Sequence, residues 1–360
     1  MSKIRVLIVD DAVVVRRFLT SALSGDAALE VVGTAPNGRI ALAKIPQVNP
    51  DLITLDVEMP EMDGLETLAE LRKLYPNLPV IMFSALTERS ASATLDALAL
   101  GANDYVTKPA QAGGVESAAE AIRMELIPKI KALSNKVTRS ASRAAPFKPL
   151  ASGRGSQKPP VRLSSQRIDL VAIGVSTGGP VALSKLVPLL PATFPVPIVI
   201  VQHMPPIFTK SLAERLSKSA NVPVYEGMAG NALRGGCVWI AAGGVHMVLR
   251  RERVAVQVAT NQEPPENSCR PSVDVLFRSV AEIYKGHTLA VVLTGMGQDG
   301  LRGCEVIREA GGQIIVQDEA SSVVWGMPGS IARAGLADAI LPLDQLAAEI
   351  IRRVRVGRLG

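Results

Sequence analysis

Asp169-Leu-Val-Ala-Ile-Gly-Val-Ser-Thr-Gly-Gly-Pro180 is the stretch from which the second half of this chain has to be read. Its first part, Leu170 to Val175, is a short apolar run rich in β-branched residues, the pattern of a strand buried on both faces. Glycines at 174, 178 and 179 then surround Ser176, and Pro180 leads into a helix-like stretch, Val181 to Leu190. A strand that turns sharply into a helix leaves one side chain exposed at the turn. Here that side chain is Ser176, and glycines tolerate the backbone angles and close approaches such a turn imposes. Gly174-x-Ser176-x-Gly178 has the spacing of a nucleophile elbow. Amides that open the following helix can hold a developing oxyanion. The same residues also suit a phosphate cradle or a plain tight turn, so the surrounding chain has to choose between them.

At 360 residues the chain has room for two cores. Aromatics are only 3% of it, so those cores must be aliphatic. Cys237, Cys269 and Cys304 include no close-spaced pair, which argues against a disulfide framework or a zinc site and fits a reducing cytoplasm. The N-terminus enters a strand-like run without a signal-peptide core. No apolar run reaches the ~18 residues of a membrane span. A cytoplasmic protein without membrane insertion is expected. The net charge of +6 is concentrated in one segment: from Leu126 to Ser165 there are nine Lys/Arg and no Asp/Glu. That segment is rich in Ser, Ala, Pro and Gly and reads as a basic flexible linker over 127–166. It has no interleaved aromatics, and no DNA partner is expected.

Before the linker, strand-like runs at Ile4 to Val9, Leu29 to Ala35, Leu52 to Leu55, Val80 to Phe83 and Asp104 to Val106 alternate with helix-like runs. Five βα units predict a doubly wound parallel sheet, with its chemistry at the carboxyl ends of the strands. Asp10 and Asp11 follow the first strand, Asp56 ends the third, Ser84 follows the fourth and Lys108 the fifth. Converging carboxylates without a positive partner repel one another, and an oxygen-only donor set favours Mg2+ over zinc. Lys108 and Ser84 can meet a phosphoryl group, and Asp56 is the central candidate to accept one. Helix capping by Asp10 or Asp11 is the plainer explanation of each acid alone. It does not explain five polar positions on one rim.

With Asp10-Asp11, Asp56-Val57-Glu58-Met59-Pro60, Asp63-Gly64, Ser84 and Lys108-Pro109, residues 1–126 resemble the receiver domain of two-component response regulators. The resemblance implies phosphorylation of Asp56 by a histidine kinase. It implies Mg2+ held by Asp11, Asp56 and the Glu58 carbonyl, with Asp10 assisting through water. Ser84 and Tyr105 are then expected to report the phosphoryl state.

After the linker, strand-like runs begin at Leu170, Pro197, Val238, His246, Val254, Thr288, Gln313 and Ala339. The tight pair 245–250 and 251–258 reads as a hairpin and predicts a mixed sheet. A nucleophilic Ser176 needs a base and an orienting acid. Of three histidines, His203 ends a strand at the rim that would hold Ser176. His287 lies at the amino end of its strand, and His246 opens a hairpin strand and is the rival. For the acid, Asp299 stands in the glycine-rich loop Thr294-Gly295-Met296-Gly297-Gln298-Asp299-Gly300. Its plainer reading is a helix N-cap, and Asp318 competes. The order Ser176, His203, Asp299 differs from the Ser, acid, His order of α/β-hydrolases.

Residues 168 to about 350 resemble the catalytic domain of CheB-type chemotaxis protein-glutamate methylesterases, with the domain expected over 167–356. The likeness is carried by Gly174 to Pro180, Gln202-His203-Met204, Arg270-Pro271-Ser272-Val273-Asp274-Val275-Leu276-Phe277 and Leu293 to Gly300. It implies an α/β sandwich with a mostly parallel sheet and a Ser176–His203–Asp299 triad. Oxyanion support comes from amides near Thr177 and Met296, and the ester reaction needs no cofactor. The implied reactions are hydrolysis of glutamyl methyl esters on the cytoplasmic helices of methyl-accepting chemotaxis receptors, releasing methanol, and deamidation of receptor glutamines. Arg270 reads equally as a substrate or interface residue and as surface charge. A receiver ahead of an esterase implies a switch in which phosphorylation at Asp56 opens access to the catalytic rim. Two other readings differ in class: a response regulator whose C-terminal half is a non-catalytic receptor-binding module, and a general carboxylesterase.

Overall fold

The computed structural model describes residues 3–109, 114–143 and 166–358. The chain forms two compact units that part at residue 150.

The first unit alternates β1 (Ile4–Val9), α1 (Val13–Ser24), β2 (Leu29–Ala35), α2 (Gly38–Val48), β3 (Leu52–Asp56), α3 (Gly64–Leu74), β4 (Val80–Ser84), α4 (Glu88–Ala99), β5 (Asp104–Thr107) and α5 (Gly114–Arg143). The five strands lie in the order β2-β1-β3-β4-β5, and every pair is parallel. This is the doubly wound sheet expected from the alternation of short β-branched runs with amphipathic stretches. The chain leaves β1 toward β2 and returns on the other side as β3, so the carboxyl ends of β1 and β3 flank a topological switch point.

Residues 127–143, expected to be linker, continue α5 as helix through Pro128. Ile122, Leu126, Ile130 and Leu133 explain why. They recur at helical spacing and are all buried, so the apolar face carries on after the acidic residues stop. Two of the basic residues counted in the linker are paired within this unit. Lys131 lies 2.6 Å from Asp26, and Lys129 lies 3.2 Å from both Asp104 and Glu125. The rest of the expected linker from 144 to 165 falls outside the described residues.

The second unit contains β6 (Leu170–Val175), α6 (Gly179–Leu186), β7 (Ile198–Gln202), α7 (Pro206–Ser219), β8 (Val224–Gly227), β9 (Val238–Ala241), β10 (His246–Glu252), β11 (Ala255–Asn261), α8 (Val273–Tyr284), β12 (Thr288–Val292), α9 (Leu301–Glu309), β13 (Gln313–Gln317), α10 (Met327–Arg333), β14 (Ala339–Leu341) and α11 (Leu343–Arg355). Seven strands form one sheet, β14-β13-β12-β6-β7-β9-β8, parallel at every pairing. The hairpin β10–β11 is antiparallel but stays apart as a two-stranded sheet, so the main sheet is not mixed. The hairpin serves the core instead. Met247, Leu249 and Val258 pack in one cluster with Leu276, Phe277 and Val280 of α8 and with alternate residues of the central strands, Leu170 and Ala172 of β6 among them. Burying its apolar face there satisfies the hairpin without adding it to a sheet edge. β8 and α10 are short elements with weak periodicity, and neither is foreshadowed by the apolar pattern.

Candidate active site

The order β12-β6-β7 places three carboxyl ends side by side. Val175 pairs with Gln202 and Val292 with Gly174, so the residues that follow these strands meet on one rim. Ser176 follows β6, His203 follows β7, and the loop 294–300 follows β12. Backbone hydrogen bonds tie them: Ser176 N–H donates to the Thr294 carbonyl at 3.0 Å, and His203 N–H to the Val175 carbonyl at 3.3 Å.

The turn after Ser176 is tight. Gly178 has φ +77°, in the left-handed region, and α6 begins at the next residue. Gly295 presses against the same turn, where an added Cβ would lie 2.9 Å from Ser176 Cβ and 2.4 Å from Met327 Sδ. Gln202 Nε2 donates to the Ser176 carbonyl at 3.1 Å. Among the described residues, neither the Thr177 nor the Met296 N–H is taken by a backbone carbonyl. The first belongs to the Ser176 turn itself and the second to the loop after β12.

His203 Nε2 lies 2.8 Å from Asp299 Oδ2. A carboxylate only accepts, so the neutral ring carries its proton on Nε2 and leaves the Nδ1 lone pair as the acceptor. Asp299 does not cap its own helix in the ordinary way. α9 starts after Gly300, with no side-chain cap bond. Its carboxylate is instead held by the N-terminus of α8 and the loop before it. Val273 N–H donates to Oδ2 at 2.7 Å. Oδ1 receives Asp274 N–H at 3.0 Å, Ser272 Oγ at 2.9 Å, Asn267 Nδ2 at 3.0 Å and Gly300 N–H at 3.0 Å. Burial alone would raise the Asp299 pKa, but His203 and these amides outweigh it and hold the carboxyl below its usual range. Burial alone would lower the His203 pKa, and the Asp299 and Cys269 contacts outweigh that and raise it. Asp274, buried beside Asp299, is pushed up, with burial as the main cause.

Four contacts were not legible as site chemistry. Cys269 Sγ lies 3.4 Å from His203 Nδ1, the ring nitrogen that Asp299 does not hold. Ser272, Asn267 and the α8 amides form the cradle of Asp299. The run from Arg270 to Phe277 was the only pointer to them. The other candidates resolve by position. Asp318 accepts from Ser321 in a turn after β13, and β13 is separated from β6 by β12. His287 is half-exposed and bonds the Arg167 carbonyl. Arg270 donates to the carbonyls of Gln262 and Glu263 and braces its own loop.

In the first unit Asp10, Asp11 and Asp56 bring carboxylate oxygens within 4.8 Å of one another. Lys108 Nζ lies 2.9 Å from Asp10 and 2.8 Å from Asp56. One ammonium against three carboxylates leaves excess negative charge, and the donors are all oxygen, which fits a hard divalent cation such as Mg2+. Asp56 is buried, and burial raises its pKa from 3.8 to about 6 despite Lys108. Ser84 is fully buried and accepts from Thr94 Oγ1 at 2.8 Å. The Glu58 side chain is exposed and accepts from Ser90 Oγ at 3.1 Å. Tyr105 is buried and lies beside Lys129.

A doubly wound receiver-like unit with an acid cluster, followed by an α/β unit with a histidine–aspartate pair at a serine turn, defines the class: a response regulator with a hydrolase-type output unit. Comparison with known proteins agrees at each level. A family model described as response regulator receiver domain matches residues 6–120, and one described as CheB methylesterase matches residues 171–350. A protein-glutamate methylesterase/protein-glutamine glutaminase from Trichodesmium erythraeum is 60% identical over 98% of this chain and 100% of its own length. One from a Nocardioides species is 48% identical over 98% of this chain and 96% of its own. The crystal structure of the Thermotoga maritima CheB methylesterase catalytic domain is similar to the second unit, with 42% identity, TM-score 0.51, and coverage of 52% of this chain and 99% of that one. The chain belongs to the CheB methylesterase family, with a receiver domain at its N-terminus.

Proposed function

We propose that this protein hydrolyses glutamyl methyl esters on the cytoplasmic helical region of chemotaxis receptors, and deamidates receptor glutamines, under the control of its receiver domain. The observation that carries the chemistry is the His203–Asp299 pair on the rim where Ser176 turns out of β6. Ser176 Oγ attacks the ester carbonyl as His203 Nδ1 takes its proton, and Asp299 holds the ring and the resulting imidazolium in place. The Thr177 and Met296 amides receive the oxyanion. His203 returns the proton to the departing methoxide as methanol, and water then releases the glutamate by the reverse proton path. With glutamine the leaving group is ammonia. Nδ1 is also the nitrogen beside Cys269 Sγ, so the thiol must give way as the Ser176 hydroxyl approaches. A non-catalytic binding module would leave this arrangement of base and cradled acid without a task.

In the receiver, Asp56 is the phosphoryl acceptor and a histidine kinase the donor. Asp10, Asp11, Asp56 and the Glu58 carbonyl would hold Mg2+, which supplies charge neutralisation for phosphoryl transfer. Lys108 places its charge on a phosphoryl oxygen, and the Ser84 hydroxyl donates to the phosphoryl group. The domains are the receiver from residue 1, a basic linker, and the methylesterase domain over 167–356, in the cytoplasm. No helix among the described residues is long and apolar enough to cross a membrane.

Methanol release from methylated receptor fragments, with and without acetyl phosphate and Mg2+, tests both parts. Release that rises with the phosphodonor, and loses that rise in Asp56→Asn, is expected. Release indifferent to the phosphodonor would remove the receiver's control, and no release from folded protein would remove the esterase.

A further inference from the structure

His246 takes no part in the reaction above, yet it is fully buried. It opens β10, beside the loop that carries Asn267 and Ser272. Both of its ring nitrogens are used. Nδ1 accepts the Ser272 backbone N–H at 3.2 Å, and Nε2 lies 3.2 Å from the Pro264 carbonyl oxygen. An amide N–H only donates and a carbonyl only accepts, so the ring is the neutral tautomer with its proton on Nε2. Residues 272–274 then deliver three donors to Asp299 from consecutive positions: Ser272 Oγ at 2.9 Å, Val273 N–H at 2.7 Å and Asp274 N–H at 3.0 Å. The first residue of that run is the one that His246 pins.

We infer that His246 is a positioning residue of the hydrolytic site: through Ser272 it sets the pose of Asp299, and through Asp299 that of His203. The inference rests on the Ser176–His203–Asp299 reading. Its chemistry is specific. The position needs an acceptor toward Ser272 and a donor toward Pro264, at the spacing of one imidazole ring, with His246 and Ser272 themselves out of water. Losing the acceptor leaves the Ser272 N–H buried and unpaired, which costs as much as a lost buried hydrogen bond. It also lets the residue carrying the Asp299 cradle shift. Protonation of His246 is not required. The charged groups around the path include Glu266, which senses both His246 and Asp299 and is paired with Arg278 at 2.6 Å, and Asp274 beside Asp299.

The two half-isosteres of histidine separate positioning from space-filling. In His246→Asn the side-chain oxygen falls near the Nδ1 position and can accept from Ser272. In His246→Gln the amide nitrogen falls near Nε2 and can donate only toward Pro264. Methanol release by the full chain is expected to fall about tenfold in kcat for His246→Gln, with KM within about twofold, and to recover to within about threefold of the native rate in His246→Asn. Side-chain NMR of the histidines, three in the native protein and two in each variant, reports the His203 ring directly. Its pKa is expected to fall in the Gln variant, where Asp299 grips it less well, and to return toward the native value in the Asn variant. Equal losses in both variants, a worse Asn than Gln, or native activity in both would overturn the inference. If the native protein releases no methanol, the functional reading fails by itself. The NMR comparison then still decides whether His246 sets the His203–Asp299 contact.

Discussion

Replacing Asp56 with Asn is expected to stabilise the receiver domain, and the structure sets both the size and the pH range. Asp56 is 2% exposed, ends β3 and shares Lys108 with Asp10. Burial raises its pKa from 3.8 to about 6. The folded domain therefore binds a proton at Asp56 more tightly than the unfolded chain does. Stability from this group is fully present below pH 3.8 and is lost as pH rises from 3.8 through about 6. At about 1.4 kcal/mol per pH unit, the loss reaches about 3 kcal/mol at neutral pH. Asparagine is neutral at every pH and does not incur it, and Lys108 keeps Asp10 at 2.9 Å. The assay is urea unfolding of the full chain in EDTA from pH 4 to 8, with receiver unfolding read by pulsed hydrogen exchange in peptides covering β1 and β3. The gain in Asp56→Asn should be small at pH 4, grow up to about pH 6 and then level at about 2–3 kcal/mol. Adding Mg2+ should narrow it, because the cation stabilises only the form that binds it. A variant less stable than the native protein, or a gain that does not change with pH, would refute the reasoning about burial.

Other outcomes follow from the hydrolytic site. Ser176→Ala should abolish methanol release while tryptophan fluorescence and thermal unfolding stay native. Asp299→Asn should lower kcat by on the order of 10³-fold, as the ring loses the partner that sets its tautomer; a loss under tenfold would remove Asp299 from the site. Methanol release should rise with pH, with its limb above the ordinary 6.5 of histidine, because His203 works as a base only once deprotonated and its pKa is raised. Cys269→Ala removes one of the contacts that raise it, so that limb should move to lower pH. Gly295→Ala should cost on the order of 10²-fold in kcat, since the new methyl would lie 2.9 Å from Ser176 Cβ; unchanged activity would show that the loop yields freely.

Local pattern was enough for most of the architecture. The alternation of β-branched runs with amphipathic stretches marks the sheet strands of both units apart from short β8, and the rule that chemistry collects at carboxyl ends picks out Asp56, Ser176 and His203. Each of these follows from its own few neighbours: a strand end, a glycine turn, a following helix. Even the end of the receiver could have been read further, because Ile130 and Leu133 keep the helical period beyond Leu126. The hairpin was legible as a hairpin, but its exclusion from the main sheet was not. That depends on where its apolar face finds a partner.

The sequence by itself therefore determined the two units, their strand-and-helix alternation and the residues able to do chemistry. Only the tertiary structure decided who touches whom. Asp299 meets His203 across 96 residues and Ser272 across 27, and Cys269 reaches the other nitrogen of the same imidazole across 66. No periodicity records such pairs. They arise because β12, β6 and β7 stand side by side and because α8 aims its first amides at the acid. The order of strands in a sheet is a result of packing, and it is packing that brought a histidine and an aspartate from separate motifs together on the rim where Ser176 turns out of β6.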